Sequence, residues 1–348
     1  MAEMNIDAVV NEFGKLYIDQ GQTAKDIKKQ LFEPEAGSLK SFFKKVPETN
    51  TVYRSAYASV DEVLQAFAIP FNDKSETIFT PWETKLGEFK IDKTLFPDKM
   101  RQSWLGFLAN IPEPDRSKWP IIKWMIMDIL IPKSHEDFVQ KVGYYGWKIT
   151  GYSGTPTVNG ATFTRELASA DAVLPASGAM DGIRTQIAKM VDATRAQLVT
   201  VGAWDVDDKV FCEQIEAMYQ AVDRPLRSKL DFAFMSEAMR NRYREGKRLK
   251  YNSQYREDAD LDSIRNTNIS VVAVPDMDGS EQVWSTPADN RKRPVKAAKT
   301  SRFDVQKNKR GVDLLNDWME LLTFDVPEYV VTSDHDIAIS AGDITERY

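Results

Sequence analysis

Residues 76–98 read ETIFTPWETKLGEFKIDKTLFPD, and this stretch decides the fold. Polar and apolar side chains alternate strictly over residues 88–92, and residues 77–80 are rich in strand formers. With a turn at residues 85–88, the pattern predicts a β-hairpin whose strands of about eight residues reach about 25 Å. A lone hairpin is marginal in water, so this one needs a partner surface, on its own domain or elsewhere. Its large apolar side chains are Trp82, Leu86, Phe89 and Ile91.

Residues 1–70, ahead of the hairpin, have too few apolar side chains for a core of their own. Apolar residues at helical spacing over residues 4–18, and shorter apolar faces after them, predict short helices joined by proline and glycine breakers. Ser59 and Glu62 have the spacing of a capping box, which predicts the start of a further helix. We therefore expect an arm that lies on another surface.

Helical patterns follow the hairpin up to residue 150. Apolar spacing predicts one helix over residues 119–131 and a second over residues 134–142, with a break at Pro132. The next stretch, residues 143–160, is rich in glycine, and this change of composition predicts a domain boundary.

The rest of the chain mixes helices and strands. Asp181 and Asp207 each precede a helical pattern and are suited to cap it. Residues 230–234 and 269–274 predict strands, and residues 275–332 are β-rich. The class is therefore α+β, with a compact middle region inserted between two halves of another.

Composition sets outer bounds on function. The 348 residues suggest about two domains. Forty-six Lys and Arg against 52 Asp and Glu give a net charge of −6, which argues against a dedicated nucleic-acid binder. The N-terminus has no secretory pattern, and residues 119–131 are too short and too polar to span a membrane. We expect a soluble chain that is intracellular when made.

Motifs for catalysis are missing or wrongly spaced. The string nearest to a serine nucleophile elbow, residues 151–154, lacks the required glycine spacing, and no phosphate-binding glycine loop is present. One cysteine and two histidines exclude a disulfide framework and a multi-cysteine zinc site. Cys212 beside an apolar helix face is typical of a buried structural thiol, and residues 276–281 are typical of a turn rather than a calcium loop. The sequence therefore predicts no catalytic residue, cofactor or metal.

Two basic clusters stand out in this acidic chain. The first contains Arg240, Arg242, Arg244, Lys247, Arg248 and Lys250. The second, the 291–310 cluster, begins with Arg291, Lys292, Arg293, Lys296, Lys299 and Arg302. Each has two interpretations: contact with phosphates or acidic surfaces of a neighbouring chain, or a solvated stretch of mixed charge.

Several strings in the second half resemble the major capsid proteins of tailed bacteriophages, which share the Hong Kong 97-like (HK97-like) fold. The strings are Asp181-Gly182-Ile183, Ala233-Phe234-Met235-Ser236 with Tyr243-Arg244, residues 269–277 (ISVVAVPDM), Trp284-Ser285-Thr286-Pro287 with Asn290, and residues 326–331 (VPEYVV).

The resemblance implies a division of the chain into known parts of that fold. These are an N-terminal arm (1–70), an extended β-hairpin loop (71–98), a peripheral domain with a spine helix (99–150 and 275–332), an axial domain (151–274) and a C-terminal tail (333–348). The spine helix is expected to be long, whereas Pro132 predicts a break in it.

The resemblance also implies a function. The chain would be a non-enzymatic subunit that self-assembles into hexamers and pentamers of an icosahedral head around double-stranded DNA, without a membrane. Portal and separate scaffolding or decoration proteins would be further partners, with assembly in the cytoplasm of the bacterial host. The expected contact residues are Trp82, Leu86, Phe89 and Ile91 of the hairpin, Phe13, Phe42 and Phe43 of the arm, and the 291–310 cluster for charged contacts.

Two other functions fit the same sequence. The first is an encapsulin-type nanocompartment shell, which encloses protein instead of nucleic acid. The second is a soluble hydrolase that uses carboxylates near Asp205–Asp208 and the loop at residues 151–160. The hairpin interpretation makes its own prediction: deletion of residues 77–94 leaves folded subunits that form no shells.

Overall fold

Helices and strands are mixed throughout the computed structural model, so the α+β class is confirmed. The structure describes residues 36–59, 64, 77–113, 120–148, 153–154, 157–158, 161–162, 165–166, 176–251, 261–296, 302–308 and 311–337. The strands are β1 (Lys44–Glu48), β2 (Val52–Ser59), β3 (Ile78–Lys85), β4 (Gly87–Leu95), β5 (Ser153–Gly154), β6 (Thr157–Val158), β7 (Ala161–Thr162), β8 (Arg165–Glu166), β9 (Gln197–Val199), β10 (Phe232–Met235), β11 (Ser270–Ala273), β12 (Trp284–Ser285), β13 (Arg291–Lys296), β14 (Arg302–Asn308), β15 (Gly311–Glu320), β16 (Thr323–Phe324) and β17 (Val331–Ser333). The helices are α1 (Pro97–Ala109), α2 (Ile121–Trp124), α3 (Ile131–Asp137), α4 (Ile183–Asp192), α5 (Asp208–Ala221), α6 (Arg224–Arg227) and α7 (Glu237–Tyr251).

The predicted hairpin between residues 77–80 and 88–92 is wrong, although both strands form. β3 pairs antiparallel with β2, from Val52 opposite Lys85 to Ser59 opposite Ile78. β4 instead pairs antiparallel with β15 in a different sheet. The chain runs on through Leu86 without turning back, and Gly87 does not have the positive φ that tight hairpin turns require. Residues 78–95 therefore form one extended path that changes partner at Leu86.

The missing side chain of Gly87 serves close packing at this change of partner. A Cβ atom there would lie 2.6 Å from the Cβ of Met180 and 3.1 Å from the carbonyl oxygen of Glu320. Leu86 is pinned on both sides, because its N–H donates to the Thr51 carbonyl (2.9 Å) and its carbonyl accepts from Lys148 Nζ (2.8 Å).

A six-stranded sheet lies at the centre of the fold. Its main order is β1-β13-β15-β14, with β16 also paired to β13 and β4 to β15. β1 runs parallel to β13, so residues predicted to lie in a helical arm form a strand of this sheet. β2 is also a strand and contains Ser59, which was expected to cap a helix. Within the described residues before β1, a single 3-10 turn, Leu39–Phe42, is the helical element.

The long helix of the fold runs without interruption over residues 121–142, so the predicted break at Pro132 is wrong. α2 continues through the π-helical turns Met125–Leu130 into α3, which ends in a second π-helical stretch, Phe138–Val142. Pro132 lies inside this continuous helix, so the hydrogen bond that its missing N–H would donate to a preceding carbonyl is absent there. The wider turns before it relieve the clash of the proline ring with the preceding carbonyls. Apolar residues of the first half of the long helix pack on the central sheet.

A second, five-stranded sheet has the order β11-β10-β12-β17-β9. α5 and α7 pack against it around Phe211, Ile215 and Tyr243. The strands predicted at residues 230–234 and 269–274 are present as β10 and β11, and Asp207 caps α5 by accepting from the N–H of Lys209 (2.9 Å). Asp181 does not cap α4, since Gly182 stands at the cap position.

The carboxylate of Asp181 instead ties neighbouring segments together. It accepts from the N–H of Lys148 (3.0 Å) and from Lys189 Nζ (2.7 Å). α4 shares its core with the long helix through Ile183 and Phe138. Among the described residues, no helix combines the length and the apolar character needed to cross a membrane.

Candidate assembly surface

The ribbon, defined here as β2 and β3, is a two-stranded sheet that pairs with no other described strand. Side chains alternate between the two faces of the ribbon along each strand, and the two faces differ in exposure. Tyr53 and Trp82 on one face are partly buried against the body of the molecule. On the other face, Phe79 is 68% exposed; Ile78 shares the face of Trp82 but lies at the far end of β3 and is 56% exposed. The far end of the ribbon therefore exposes a large apolar side chain on each face.

Hydrogen bonds hold the base of the ribbon to the turn after β16. Tyr53 Oη donates to Asp325 Oδ1 (2.6 Å), and Ser55 Oγ donates to the carbonyl of the same residue (2.5 Å). Burial, together with this hydrogen bond, raises the pKa of Tyr53 above its ordinary value, so the phenol stays a neutral donor.

Arg195, which follows α4, clamps the ribbon from the side. Its Nε donates to Glu328 Oε1 (2.8 Å), and its Nη1 donates to the Pro81 carbonyl (3.1 Å). The guanidinium also lies over the ring of Trp82, 5.3 Å from the ring centroid. One side chain thus joins β3, α4 and the 3-10 turn Pro327–Tyr329, which fixes the direction in which the ribbon leaves the body.

The predicted hairpin contacts divide between core and surface. Leu86 is 2% exposed and Phe89 is 9% exposed, both within the core of their own chain. Phe89 stacks on Trp318, with ring centroids 5.4 Å apart. Their burial leaves little of either side chain open to a neighbour, and their role as contacts between subunits stays a prediction. Trp82 and Ile91 are partly buried. Sequence reasoning missed Ile78 and Phe79, the most exposed large apolar side chains of the ribbon, because it paired β3 with the wrong strand.

The predicted arm contacts are also internal where the structure describes them. Phe42 packs edge-on against Phe234 (5.3 Å between centroids), and buried Phe43 lies 5.9 Å from Phe324. Phe43 belongs to the core of this chain and partly buried Phe42 packs against it, so their role as contacts to a neighbour stays a prediction. Phe13 lies outside the described residues.

The first three residues of the 291–310 cluster have acidic partners within the chain. Buried Arg291 forms an ion pair with Asp231, Lys292 lies 3.5 Å from Asp325, and buried Arg293 lies 3.9 Å from Glu320. These three residues therefore offer little charge to a neighbour.

For two other members of the 291–310 cluster, the strand register gives the residue opposite. Lys296 stands opposite Glu48 of β1 in the strand register, and Arg302 begins β14 opposite Asp317. Lys299 lies outside the described residues.

The other basic cluster, on α7, is also paired internally. Arg240 and Arg244 share Asp262, Arg242 pairs with Asp208 (2.8 Å), and Lys250 pairs with Glu216 (2.9 Å). These ion pairs anchor α7 to α5 and to the segment that follows it. The interpretation as a surface for phosphates or acidic neighbours is therefore not needed to explain this charge.

Side chains considered for chemistry have structural partners. Burial raises the pKa of the Cys212 thiol to about 12, so it stays protonated and unreactive at neutral pH. Asp207 caps α5, and Asp208 pairs with Arg242. Within the described part of the chain, no three His, Cys, Asp or Glu side chains lie close enough to hold a metal ion. The turn after β11 contains buried Asp276, whose Oδ2 accepts from the N–H of Leu39 (2.9 Å).

Of the comparisons with known proteins, only the one with solved structures finds similar proteins. No protein-family model matches the sequence, and no curated protein matches it. Among solved structures, the chain is similar to a protein of the satellite phage P4 procapsid that includes the size determination (Sid) protein. The two chains are 10% identical, 89% of this chain and 90% of the other are covered, and the TM-score is 0.55.

The capsid of the empty GTA particle is a second similar structure. It is 10% identical, with coverage of 86% of this chain and 90% of the other and a TM-score of 0.50. Both likenesses extend over most of each chain. They confirm the resemblance at the level of architecture: the chain has the Hong Kong 97-like fold of phage major capsid proteins.

Proposed function

We propose that this protein is the major capsid subunit of a tailed bacteriophage, a structural protein without catalytic activity. The observation that carries the proposal is the ribbon with its exposed Ile78 and Phe79, on a fold found in capsid proteins. Uncovered apolar side chains on a two-stranded sheet are costly in a monomer and useful where a second copy covers them.

The geometry also supports a revised division of the chain. The extended loop corresponds to the ribbon and the residues between its strands, 52–85, instead of residues 71–98. The peripheral domain contains the central sheet and the long helix, together with α4. The axial domain is built on the five-stranded sheet, to which β12 and β17 contribute after residue 275.

Assembly partners follow from this proposal. Copies of the chain form hexamers and pentamers of an icosahedral head, and interfaces of this kind bury about 2,000 Å² or more. The head encloses double-stranded DNA, and a portal and separate scaffolding or decoration proteins complete it. The virion is the final location, after assembly in the cytoplasm of the bacterial host.

The test is a ribbon that is shortened without touching the core. Deletion of residues 77–94 is unsuitable, because it removes β4 from the central sheet and would unfold the chain. Replacing residues 59–78 by Asn-Gly instead joins Ala58 to Phe79, which already face each other across the ribbon. The clamp at Trp82 and the bonds to Asp325 remain.

We expect the unaltered chain to form closed shells in negative-stain microscopy and the shortened chain to stay as folded, smaller species. Circular dichroism and a cooperative thermal transition check folding. Normal shells from the shortened chain would contradict the role of the ribbon, and an unaltered chain that stays monomeric at high concentration would contradict the proposed function. Protein cargo in place of nucleic acid inside native particles would favour an encapsulin-type shell.

A further inference from the structure

A surface pocket of about 390 Å³ lies beside the C-terminal end of α6. It is lined by Arg224, Arg227, Ser228, Asn266, Thr267 and Asn268. No acidic side chain is among these residues. The lining therefore offers hydrogen-bond donors and positive charge without a carboxylate.

Neither guanidinium group of the pocket has an acidic partner among the described residues. The side chain of Arg224 is exposed and makes no hydrogen bond or ion pair to any described residue, whereas its backbone carbonyl accepts from the Ser228 N–H (3.1 Å). Arg227 uses Nη1 to donate to the Gln220 carbonyl (3.1 Å) and to Gln220 Oε1 (3.0 Å), both neutral acceptors. Neither arginine has a carboxylate within 4.0 Å among the residues that the structure describes. Asp223, beside them in sequence, does not line the pocket.

This arrangement is unusual for this chain. Other arginines are paired with carboxylates, in a protein of net charge −6. The paired residues are Arg54, Arg184, Arg195, Arg240, Arg242, Arg244, Arg248, Arg291 and Arg293. Arg224 and Arg227 have no carboxylate partner within the described part of the chain. Their guanidinium groups therefore remain available to bind an anion.

The wall opposite the arginines is preformed. Asn266 has a φ of +59°, a conformation that asparagine tolerates better than most residues. The loop is fixed by hydrogen bonds from the Ile264 N–H to the Ile269 carbonyl (2.9 Å) and from Thr267 Oγ1 to the Ile264 carbonyl (2.8 Å). Ile264 and Ile269 are buried in the core of the second sheet. The pocket therefore does not have to order its own wall when a ligand enters.

We propose that this pocket binds an oxyanion, held by the guanidinium groups of Arg224 and Arg227. Arginine is suited to this task, because its planar fork matches carboxylate and phosphate oxygens. Two sources share this chemistry: free inorganic phosphate, and a carboxylate side chain of a second copy in the assembled shell. The second source rests on the proposed function, whereas binding of free phosphate does not.

The first experiment measures the thermal unfolding of the full chain in phosphate and in chloride at equal ionic strength. We expect phosphate to raise the Tm of the unaltered chain, by about 2 °C at ten times its Kd, and to leave the Tm of Arg224→Gln unchanged. Arg224→Gln breaks no described contact, so loss of folding does not confuse the result. The control is Lys133→Gln, which removes one exposed charge elsewhere and should keep the phosphate effect.

The second experiment is cryo-electron microscopy of shells in phosphate-free buffer. A carboxylate of a neighbouring copy within about 3 Å of either guanidinium identifies the second source. If phosphate has no specific effect and no carboxylate occupies the pocket, the oxyanion site is overturned while the shell function stands. If phosphate binds but no shells form, the proposed function fails and the site stands.

Discussion

At the scale of single residues, the interior of the central sheet contains a charged cluster. Glu320, 1% exposed, accepts from Lys40 Nζ (2.7 Å) and from Trp318 Nε1 (3.1 Å), and Arg293 lies 3.9 Å away. Lys40 belongs to the 3-10 turn before β1, so the cluster ties the first described segment to β13 and β15. Burial alone would raise the pKa of Glu320, but the two cations hold it below its ordinary value.

Glu320→Gln tests how much this carboxylate contributes. The substitution leaves Lys40 and Arg293 buried without a countercharge, so the free energy of unfolding should fall by about 3–5 kcal/mol. Urea denaturation of unassembled subunits measures it. Glu83→Gln is the matched control: its ion pair with Arg54 is exposed, so its loss should cost at most about 1 kcal/mol. Equal effects of the two substitutions would contradict the buried cluster.

The same carboxylate predicts a dependence on acid. A carboxyl group with a lowered pKa in the folded state stabilises the fold above its unfolded pKa, near 4.5, and this contribution is lost as the pH falls through the folded value. The difference in unfolding free energy between the unaltered chain and Glu320→Gln should therefore shrink between pH 6 and pH 3. Parallel stability curves over this range would show that Glu320 does not carry the effect.

At the scale of secondary-structure elements, the most consequential feature is the extended path over residues 78–95. Its first half belongs to the ribbon and its second half to the central sheet. Two constraints decide where the halves meet: the close approach at Gly87 and the clamp at Arg195.

Gly87→Ala tests the close approach. The added Cβ meets the Cβ of Met180 at 2.6 Å, so backbone must shift and the free energy of unfolding should fall by about 1–3 kcal/mol. Gly106→Ala on α1 is the control, because nothing lies within 4 Å of its added Cβ. That variant should be neutral or more stable, since alanine favours a helix over glycine by about 1 kcal/mol. Chemical denaturation compares the two, and a stable Gly87→Ala would refute the packing argument.

Arg195→Ala tests the clamp. The variant loses the ion pair with Glu328, the bond to the Pro81 carbonyl and the contact with Trp82. We expect faster hydrogen–deuterium exchange of the ribbon amides, with exchange in the five-stranded sheet unchanged.

The matched variant for the clamp is Arg54→Ala, which removes an exposed arginine from the outer face of the ribbon. It should change ribbon exchange much less. Equal exchange in both variants would mean that Arg195 does not orient the ribbon.

At the scale of the whole molecule, assembly should depend on the exposed far end of the ribbon. Substituting both Ile78 and Phe79 by serine removes its largest exposed apolar side chains, at no cost to the core. We expect the protein concentration needed for shell formation to rise more than tenfold, since burial of each such side chain contributes about 1.5–3 kcal/mol. Light scattering measures the protein concentration at which shells form. Val206→Ser, at another highly exposed apolar position, is the control.

The sequence predicts features that depend on neighbouring residues better than features that depend on contacts between separate segments of the chain. Local patterns identified β10, β11 and the cap of α5 correctly, because alternation and capping are properties of neighbouring residues. They could not identify the partners of β3 and β4, since β2 and β15 are chosen by packing far along the chain.

The same limit applies to the predicted contact residues. Large apolar residues such as Phe43 and Leu86 are typical of subunit interfaces and of protein cores. Only the tertiary structure shows that both are buried in the core of this chain. Arg291 and Arg293 appeared as a basic surface because their acids, Asp231 and Glu320, are distant in sequence. The clamp at Arg195 carries no sequence signal of its own.

The change of partner at Leu86 has a mechanical consequence. A neighbour that pulls on the ribbon loads β3 along its axis, and β4 continues that axis directly into its ladder with β15. Tension along this axis loads all hydrogen bonds between β4 and β15 in shear at the same time, instead of breaking them one after another from one end. Within each subunit, a load on the ribbon would therefore reach the central sheet through covalent backbone, without an intervening loop.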